Sequence, residues 1–163
     1  MAELADLLEG VEDTQKGKFL TFALGNEEYG VEIQYVTEII GIQAITQIPR
    51  LPEYVKGIIN LRGKIIPVMD VRLRFGKEPR NYNDRTCVIV IDIRNVNIGL
   101  IVDAVSEVLS ISEEDIVPPP DVTKAFQNKY IKGIGKTSGG VKLLLECEKL
   151  IGEEETMQLE EIQ

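Results

Sequence analysis

The sequence predicts an all-β protein that contains two small barrels of about five strands each. One observation is an internal repeat: residues 18–49 align without a gap with residues 87–118, which lie 69 positions later. The alignment resumes at Tyr54 and Tyr130 with a shift of 76 positions, and such a repeat indicates one structural unit that occurs twice. The other observation is that short apolar runs alternate with turns rich in glycine, proline and asparagine, which is typical of barrels and sandwiches.

The repeat divides the 163 residues into two similar halves. We expect an N-terminal arm over 1–14, a first barrel over 15–82, a second barrel over 83–150 and an acidic tail over 151–163. A unit of this length buries too little surface to be stable alone. We therefore expect the two barrels to share one hydrophobic core.

The elements of the two halves follow the same order, because their apolar residues recur at the same spacing. The first half is expected to contain strands over 18–24 and 29–33, a short helix over 34–40, a strand over 42–48 and a hairpin that turns at Arg62-Gly63. The second half is expected to contain strands over 87–93 and 98–104, a short apolar-faced segment over 105–111, and strands near 131–136 and 141–146. Proline cannot donate to a ladder, so the strand that holds Pro67 should lie at an edge or bulge there.

The composition excludes several classes of function. The formal net charge is -9, whereas nucleic-acid-binding proteins carry a clustered basic face. An apolar run long enough to span a bilayer is absent from the sequence, so we expect no insertion into a membrane. Cys87 and Cys147 lie in apolar runs outside any CxxC pair, which favours free thiols in a reducing compartment.

The residue types also argue against an enzyme. The chain has no histidine, which removes the commonest general base and metal ligand. The run Gly133-Ile134-Gly135-Lys136-Thr137 resembles a phosphate-binding loop, but Tyr130 stands where that motif requires its first glycine. The carboxylate clusters consist of adjacent residues and lack the alternating spacing of a calcium loop. We therefore expect no catalytic residues, no metal and no cofactor.

The segment from Tyr54 to Asp70 resembles the signature of the CheW family of chemotaxis coupling proteins. The positions that match this signature are Val55, Gly57, Asn60, Leu61, Arg62, Gly63, Pro67, Val68 and Asp70. Segments 29–40 and 98–105 are also similar to the family, so the resemblance covers about residues 15–150.

The resemblance implies two intertwined five-stranded SH3-like barrels with a shared core and short helices. It also implies a non-catalytic adaptor with two partners. One is the cytoplasmic tip of a methyl-accepting chemoreceptor, which is a helical hairpin, and the other is the regulatory domain of the chemotaxis histidine kinase. Such a protein would be cytoplasmic and recruited to membrane-bound receptor arrays.

Within this resemblance, two sets of residues are candidates for the contacts. An apolar groove for the receptor hairpin is expected from Val31, Ile33, Val36, Val102 and Val105. Its wall is expected to hold an ion pair between Glu38 and Arg62, since arginine presents a rigid fork to a carboxylate. The kinase is expected to contact Ile45, Gly99 and Gly133.

Other interpretations of these residues stay open at this stage. The groove residues could belong to the core, and the glycines could serve turn geometry alone. The whole chain could instead be a small-ligand-binding β-barrel protein, a nucleic-acid-binding barrel or the regulatory domain of the kinase itself. The sequence leaves open which barrel the first strand joins, because repeats can exchange strands.

Overall fold

The structure, a computed structural model, describes residues 16–119, 129–152 and 159. The predicted arm over 1–14, the middle of the insertion before Tyr130 and most of the acidic tail lie outside these residues. The strands are β1 Lys18–Leu24, β2 Glu27–Glu32, β3 Val36–Gly41, β4 Val55–Leu61, β5 Lys64–Asp70, β6 Cys87–Ile93, β7 Val96–Val102, β8 Ala104–Ser110, β9 Ile116–Val117, β10 Ile131–Thr137 and β11 Gly140–Leu145. Two short helices are α1 Val71–Arg74 and α2 Cys147–Leu150.

The strands form two sheets, which confirms the predicted all-β class with short helices. The five-stranded barrel has the order β3-β6-β7-β5-β4, and the six-stranded barrel has the order β8-β1-β2-β11-β10-β9. The sixth strand is β9, a two-residue strand that pairs with β10. One barrel therefore has one strand more than the sequence predicts.

The barrels do not coincide with the two halves of the sequence. The chain runs through β1 and β2 of the six-stranded barrel, crosses to form the complete five-stranded barrel over 36–102, and returns at Asp103. Barrel boundaries at 15–82 and 83–150 therefore describe the repeat and not the sheets. The first strand joins the six-stranded barrel, where it pairs with β2 and β8.

The exchange of hairpins obeys the repeat. Hairpin β1–β2 of the first copy joins β11 of the second, with Gly30 opposite Leu144. Hairpin β6–β7 of the second copy joins β5 of the first, with Gly99 opposite Val68. These pairs occupy equivalent positions, since the shifts are 69 and 76 residues. Both ladders are parallel. Because each copy donates its hairpin to the other in the same way, the two barrels are related by an approximate internal two-fold symmetry.

The predicted helix over 34–40 is wrong. A 3-10 turn over Ile33–Tyr35 is followed directly by strand β3. Four of the first five residues of β3 are β-branched, and such residues favour strands. Ile39 lies in the core between the barrels and Ile40 lies inside the five-stranded barrel, so both faces of this strand are covered and its apolar residues show no clean alternation.

Two further segments differ from the prediction. The segment over 105–111 is mostly strand β8, which pairs with β1. The predicted strand over 42–48 is reduced to one bridge, in which Thr46 and Ile58 exchange two backbone hydrogen bonds of 2.9 Å each.

Pro67 lies on the inner strand β5, but the ladder from β5 to β7 begins at Val68. The missing N–H of Pro67 therefore leaves no bond of that ladder unmade.

Three clusters of buried side chains hold the barrels. The inter-barrel core is the largest and includes Phe22, Tyr29, Ile91 and Leu159. The interior of the five-stranded barrel is filled by Ile40, Ile59, Ile66, Val68, Val88, Val90 and Ile101. The interior of the six-stranded barrel is filled by Phe19, Ile111 and Leu144. Side chains thus occupy both barrel interiors, as in other small barrels. Among the described residues, no helix is long and apolar enough to cross a membrane.

Candidate partner-binding surface

The ion pair predicted between Glu38 and Arg62 is present. A guanidinium nitrogen of Arg62 lies 2.5 Å from a carboxylate oxygen of Glu38. Glu38 belongs to β3 and Arg62 follows β4, which are the two outermost strands of the five-stranded sheet. The pair therefore links one edge of the sheet to the other. The Arg62 side chain is 70% exposed, so the pair contributes little to stability and its guanidinium is open to a partner.

The turn that carries Arg62 has an unusual backbone. Arg62 has a φ of 53° and Gly63 has a φ of 85°, so both central residues of this two-residue hairpin are left-handed, as in a type I′ turn. The side-chain oxygen of Asn60 accepts a 2.8 Å hydrogen bond from the Gly63 N–H. Arginine at a positive φ is strained, and asparagine or glycine would fit this turn better. Such retained strain is often found at functional sites.

Val36 and Val105 reach the surface at the edge of the inter-barrel core. They are equivalent residues of the repeat, and each is half-buried against that core. Val36 lies opposite Ile91 in one barrel, and Val105 lies opposite Phe22 in the other. Val108 of β8 has the same half-buried position and was missed by sequence reasoning, because only the register of β8 shows which of its valines face the core. We call Val36, Glu38, Arg62, Val105 and Val108 the seam surface.

Three of the predicted groove residues lie elsewhere. The exposed fractions of Val31, Ile33 and Val102 are 0%, 2% and 1%. All three belong to the inter-barrel core, where they help to hold the two barrels together. Their side chains are therefore unavailable to a partner in this structure, and the open interpretation that they are core residues is the correct one.

The two glycines predicted to contact the kinase are buried. A Cβ atom at Gly99 would lie 2.6 Å from Val88 and 2.9 Å from Val68, and one at Gly133 would lie 2.7 Å from Ile116. Glycine is thus needed there for packing inside the protein, and neither position is a contact surface. Ile45 is half-buried against the interior of the five-stranded barrel and is the only one of the three that reaches solvent.

An ion-pair network at the linker between the repeats, residues 71–86, was also not predicted from the sequence. The guanidinium of Arg72 donates two hydrogen bonds, of 2.9 and 2.7 Å, to the carboxylate of Asp103, and Arg80 donates a third of 2.9 Å. The N–H of Gly25 donates a fourth, of 2.7 Å. Burial raises the pKa of Asp103, but the bonds from Arg72 and Gly25 outweigh it and lower this pKa to about 2. The five basic residues between 72 and 85 were the only hint in the sequence.

A second feature of the same region marks the internal symmetry. The guanidinium of Arg74 lies 4.2 Å from the ring centre of Tyr54 and 4.9 Å from that of Tyr130, and these tyrosines are equivalent residues of the repeat. Their carbonyl oxygens accept equivalent 2.7 Å hydrogen bonds, one from the N–H of Asp70 and one from the N–H of Glu146. Arg74 therefore joins matching points of the two copies through cation–π contacts.

In the described ranges, no group of three or more cysteine, aspartate or glutamate side chains could hold a metal ion. The seam surface instead combines half-buried valines with an exposed ion pair.

Comparisons with known proteins agree with this fold. Residues 18–155 match the family model of the CheW-like domain. The chain is 39% identical over 155 residues to a protein named chemotaxis protein CheW from Klebsiella aerogenes, and the alignment covers 95% of this chain and 93% of that one. It is 35% identical over 138 residues to the CheW of Rhizobium meliloti, with 85% and 89% covered.

A solved structure is similar as well. It is the crystal structure of the scaffolding protein TtCheW from Thermoanaerobacter tengcongensis, with a TM-score of 0.78 and 40% sequence identity over 85% of this chain and 94% of that one. The resemblance seen in the signature segment is thereby confirmed over nearly the whole length. The chain belongs to the CheW-like domain family.

Proposed function

We propose that this chain is a non-catalytic adaptor that couples the cytoplasmic tips of chemoreceptors to the regulatory domain of the chemotaxis histidine kinase. The observation that carries this proposal is the membership of the CheW-like domain family, whose relatives here are named as chemotaxis and scaffolding proteins. The protein would act in the cytoplasm and be recruited to receptor arrays. It would hold the chemoreceptor and the kinase in a fixed arrangement.

The seam surface is the proposed receptor contact. A helical hairpin binds through apolar side chains at helical spacing, which need an apolar strip on the partner. Val36, Val105 and Val108 supply half-buried apolar positions from both barrels, and the pair of Glu38 and Arg62 supplies a polar flank. Charged groups at a rim set orientation and specificity more than affinity, which suits an exposed pair.

The proposed kinase contact is the end of the five-stranded barrel that carries Ile45. The loop around Ile45 lies directly on β4, where Gly57 leaves room for the carbonyl of Thr46. A barrel in the regulatory domain of the kinase could pair with this end, and a head-to-tail contact of this kind closes rings when the rotation permits. The receptor and the kinase would then occupy different surfaces.

A charge exchange tests the receptor contact. Glu38→Arg and Arg62→Glu should each weaken binding of a soluble receptor hairpin about five- to tenfold, because each places like charges together and removes the fork geometry. The double variant should regain part of the loss. Binding of the isolated kinase regulatory domain should stay within about twofold in all three variants. Both affinities can be measured by titration calorimetry.

Two controls separate the interaction from the fold. Arg62→Asn removes the pair but suits the left-handed turn, so it should bind the receptor weakly while its melting temperature does not fall. Exchange of the exposed pair of Lys16 and Glu113, which are 3.9 Å apart, should leave receptor binding unchanged. Losses that simply add in the double variant at positions 38 and 62 would contradict the proposed contact.

A further inference from the structure

A polar cavity of about 190 Å³ lies where the linker between the repeats crosses the ends of both barrels. It is lined by Ala23 and Ala104 of the six-stranded barrel, by Ile101 of the five-stranded one and, from the linker, by residues 80–83, 85 and 86. At about 30 Å³ for each water molecule, it holds roughly six waters. That space admits a small ion or metabolite and excludes a nucleotide.

The acceptor groups of this cavity are already occupied. Both carboxylate oxygens of Asp103 accept hydrogen bonds from Arg72, and one of them also accepts from Gly25 and Arg80. Asp70 is 4% exposed and accepts hydrogen bonds from the N–H groups of Arg72 and Leu73 and from the Tyr82 hydroxyl. Neither carboxylate is therefore available to attract a cation.

The cavity is lined by more hydrogen-bond donor groups than its two carboxylates use. Arg85 lines the cavity and has no ion pair within the part of the chain that the structure describes, and Asn81 lines it beside Arg80. Arg80 uses one of its nitrogens for Asp103, and its side chain is 53% exposed. The charged residues of the lining are three arginines and two aspartates, a net charge of +1, whereas the whole chain carries -9.

We propose that this cavity binds a small phosphate-class oxyanion. The fork of a guanidinium donates two parallel hydrogen bonds to such an anion, and the side-chain amides of Asn81 and Asn83 can donate to its other oxygens. The bound anion would join the linker to the strand ends of both barrels. This site is separate from the seam surface and does not depend on the proposed adaptor function.

Titration calorimetry of the full chain with inorganic phosphate, at pH 7.5 and constant ionic strength, tests the site. The wild type should show saturable binding to one site. Arg85→Gln should bind at least fivefold more weakly, because it removes the guanidinium that forms no ion pair with any described residue and is therefore available to the anion. Arg85→Lys keeps the charge without the fork and should lie between the two. The same titration with phosphoserine shows whether free phosphate or a phosphate ester fits better.

The matched control is Lys136→Gln, which removes one exposed positive charge at the far hairpin β10–β11. It should bind phosphate as the wild type does. Melting curves of each variant establish that it is folded, which is expected because Arg85 is exposed and lies outside the ion-pair network. Absence of saturable binding to the wild type would overturn the proposal, and so would equal weakening by Arg85→Gln and Lys136→Gln.

Discussion

Gly57 and Gly133 show how equivalent residues come to differ. Both occupy the same position of the repeat, and each follows a register shift in its strand pair. Gly57 has a φ of 145°, and a Cβ there would lie 2.1 Å from the carbonyl oxygen of Thr46. Gly133 does not have a positive φ, and a Cβ there would lie 2.7 Å from the Cγ2 methyl of Ile116 and 3.3 Å from the carbonyl oxygen of Val117. The hydrogen-bonded carbonyl of Thr46 cannot shift as easily as the side-chain methyl of Ile116.

We therefore expect Gly57→Ala to be the more destabilising of two matched substitutions. It should lower the free energy of unfolding by about 3 kcal/mol or more, since strain at φ and overpacking add. Gly133→Ala should cost about 1 kcal/mol, because a shift of the Ile116 methyl by a few tenths of an ångström relieves the closest contact, whereas at Gly57 a backbone carbonyl would have to move. Urea unfolding of both variants measures the difference. Equal losses would mean that the bridge between Thr46 and Ile58 yields as easily as a side chain.

The seam surface shows what the sequence could provide at this scale. The pairing of Arg62 with Glu38 could be predicted from the resemblance and from the complementary charges of the two side chains, although Glu38 was expected on a helix and lies on strand β3. Val31 and Val102 could not be separated from Val36 and Val105, since all four are valines at positions where the two copies of the repeat match. Burial depends on which face of a strand points to the core, and a shift of one residue in register reverses that.

At the scale of elements, the linker after β5 is held by Asp103. The folded-state pKa of Asp103 is about 2, below its ordinary value of 3.8. A depressed pKa means that the unfolded chain binds more protons between these values, so stability is present above about pH 4 and is lost as the pH falls toward 2.

Asp103→Asn should flatten this part of the acid dependence. The free energy of unfolding of the wild type should fall between pH 4 and pH 2, and that of the variant should fall less steeply because one titrating group is gone. At pH 7 the variant should unfold at a lower urea concentration, since Arg72 keeps a side chain that is only 15% exposed but loses its anion. Unfolding curves at half-unit pH steps measure both effects, and parallel slopes would contradict the assignment.

The sequence predicted the positions of the strands better than it predicted which strands pair with each other. Strand β6 has the predicted bounds, and β10 and β11 lie close to theirs. Strand β3 was predicted as a helix because its apolar residues face two different cores, and the resulting spacing imitates a helical face. The exchange of hairpins leaves no trace in one sequence, since equivalent residues such as Gly30 and Gly99 pack in the same way whichever copy supplies the neighbouring strand.

At the scale of the whole molecule, neither half can complete a barrel. A fragment over 1–78 has β1 to β5 but lacks β6 and β7 for one barrel and β8 to β11 for the other. The inter-barrel core also draws on both halves, with Phe22 and Tyr29 from one and Ile91 and Leu100 from the other.

Fragments 1–78 and 79–163 should therefore be unfolded when each is alone and should fold when mixed. Circular dichroism should show little strand signal for either fragment and a cooperative melting transition for the mixture, at a lower temperature than for the intact chain because association costs entropy. Size-exclusion chromatography should show a complex with one copy of each fragment. An independently folded 1–78 fragment would mean that its hairpin can close its own barrel.

The path of the chain also sets an order of events during synthesis. The five-stranded barrel is continuous over 36–102, so all of its strands have been made before β8 begins. Hairpin β1–β2 must wait for β8 and then for β11, and Tyr29 pairs with Leu143 across 114 positions of sequence. Contacts between residues so far apart form slowly. Until β8 and β11 have been synthesised, Phe19, Phe22 and Leu24 have β2 as their only strand neighbour. This hairpin is therefore the segment that a chaperone would protect.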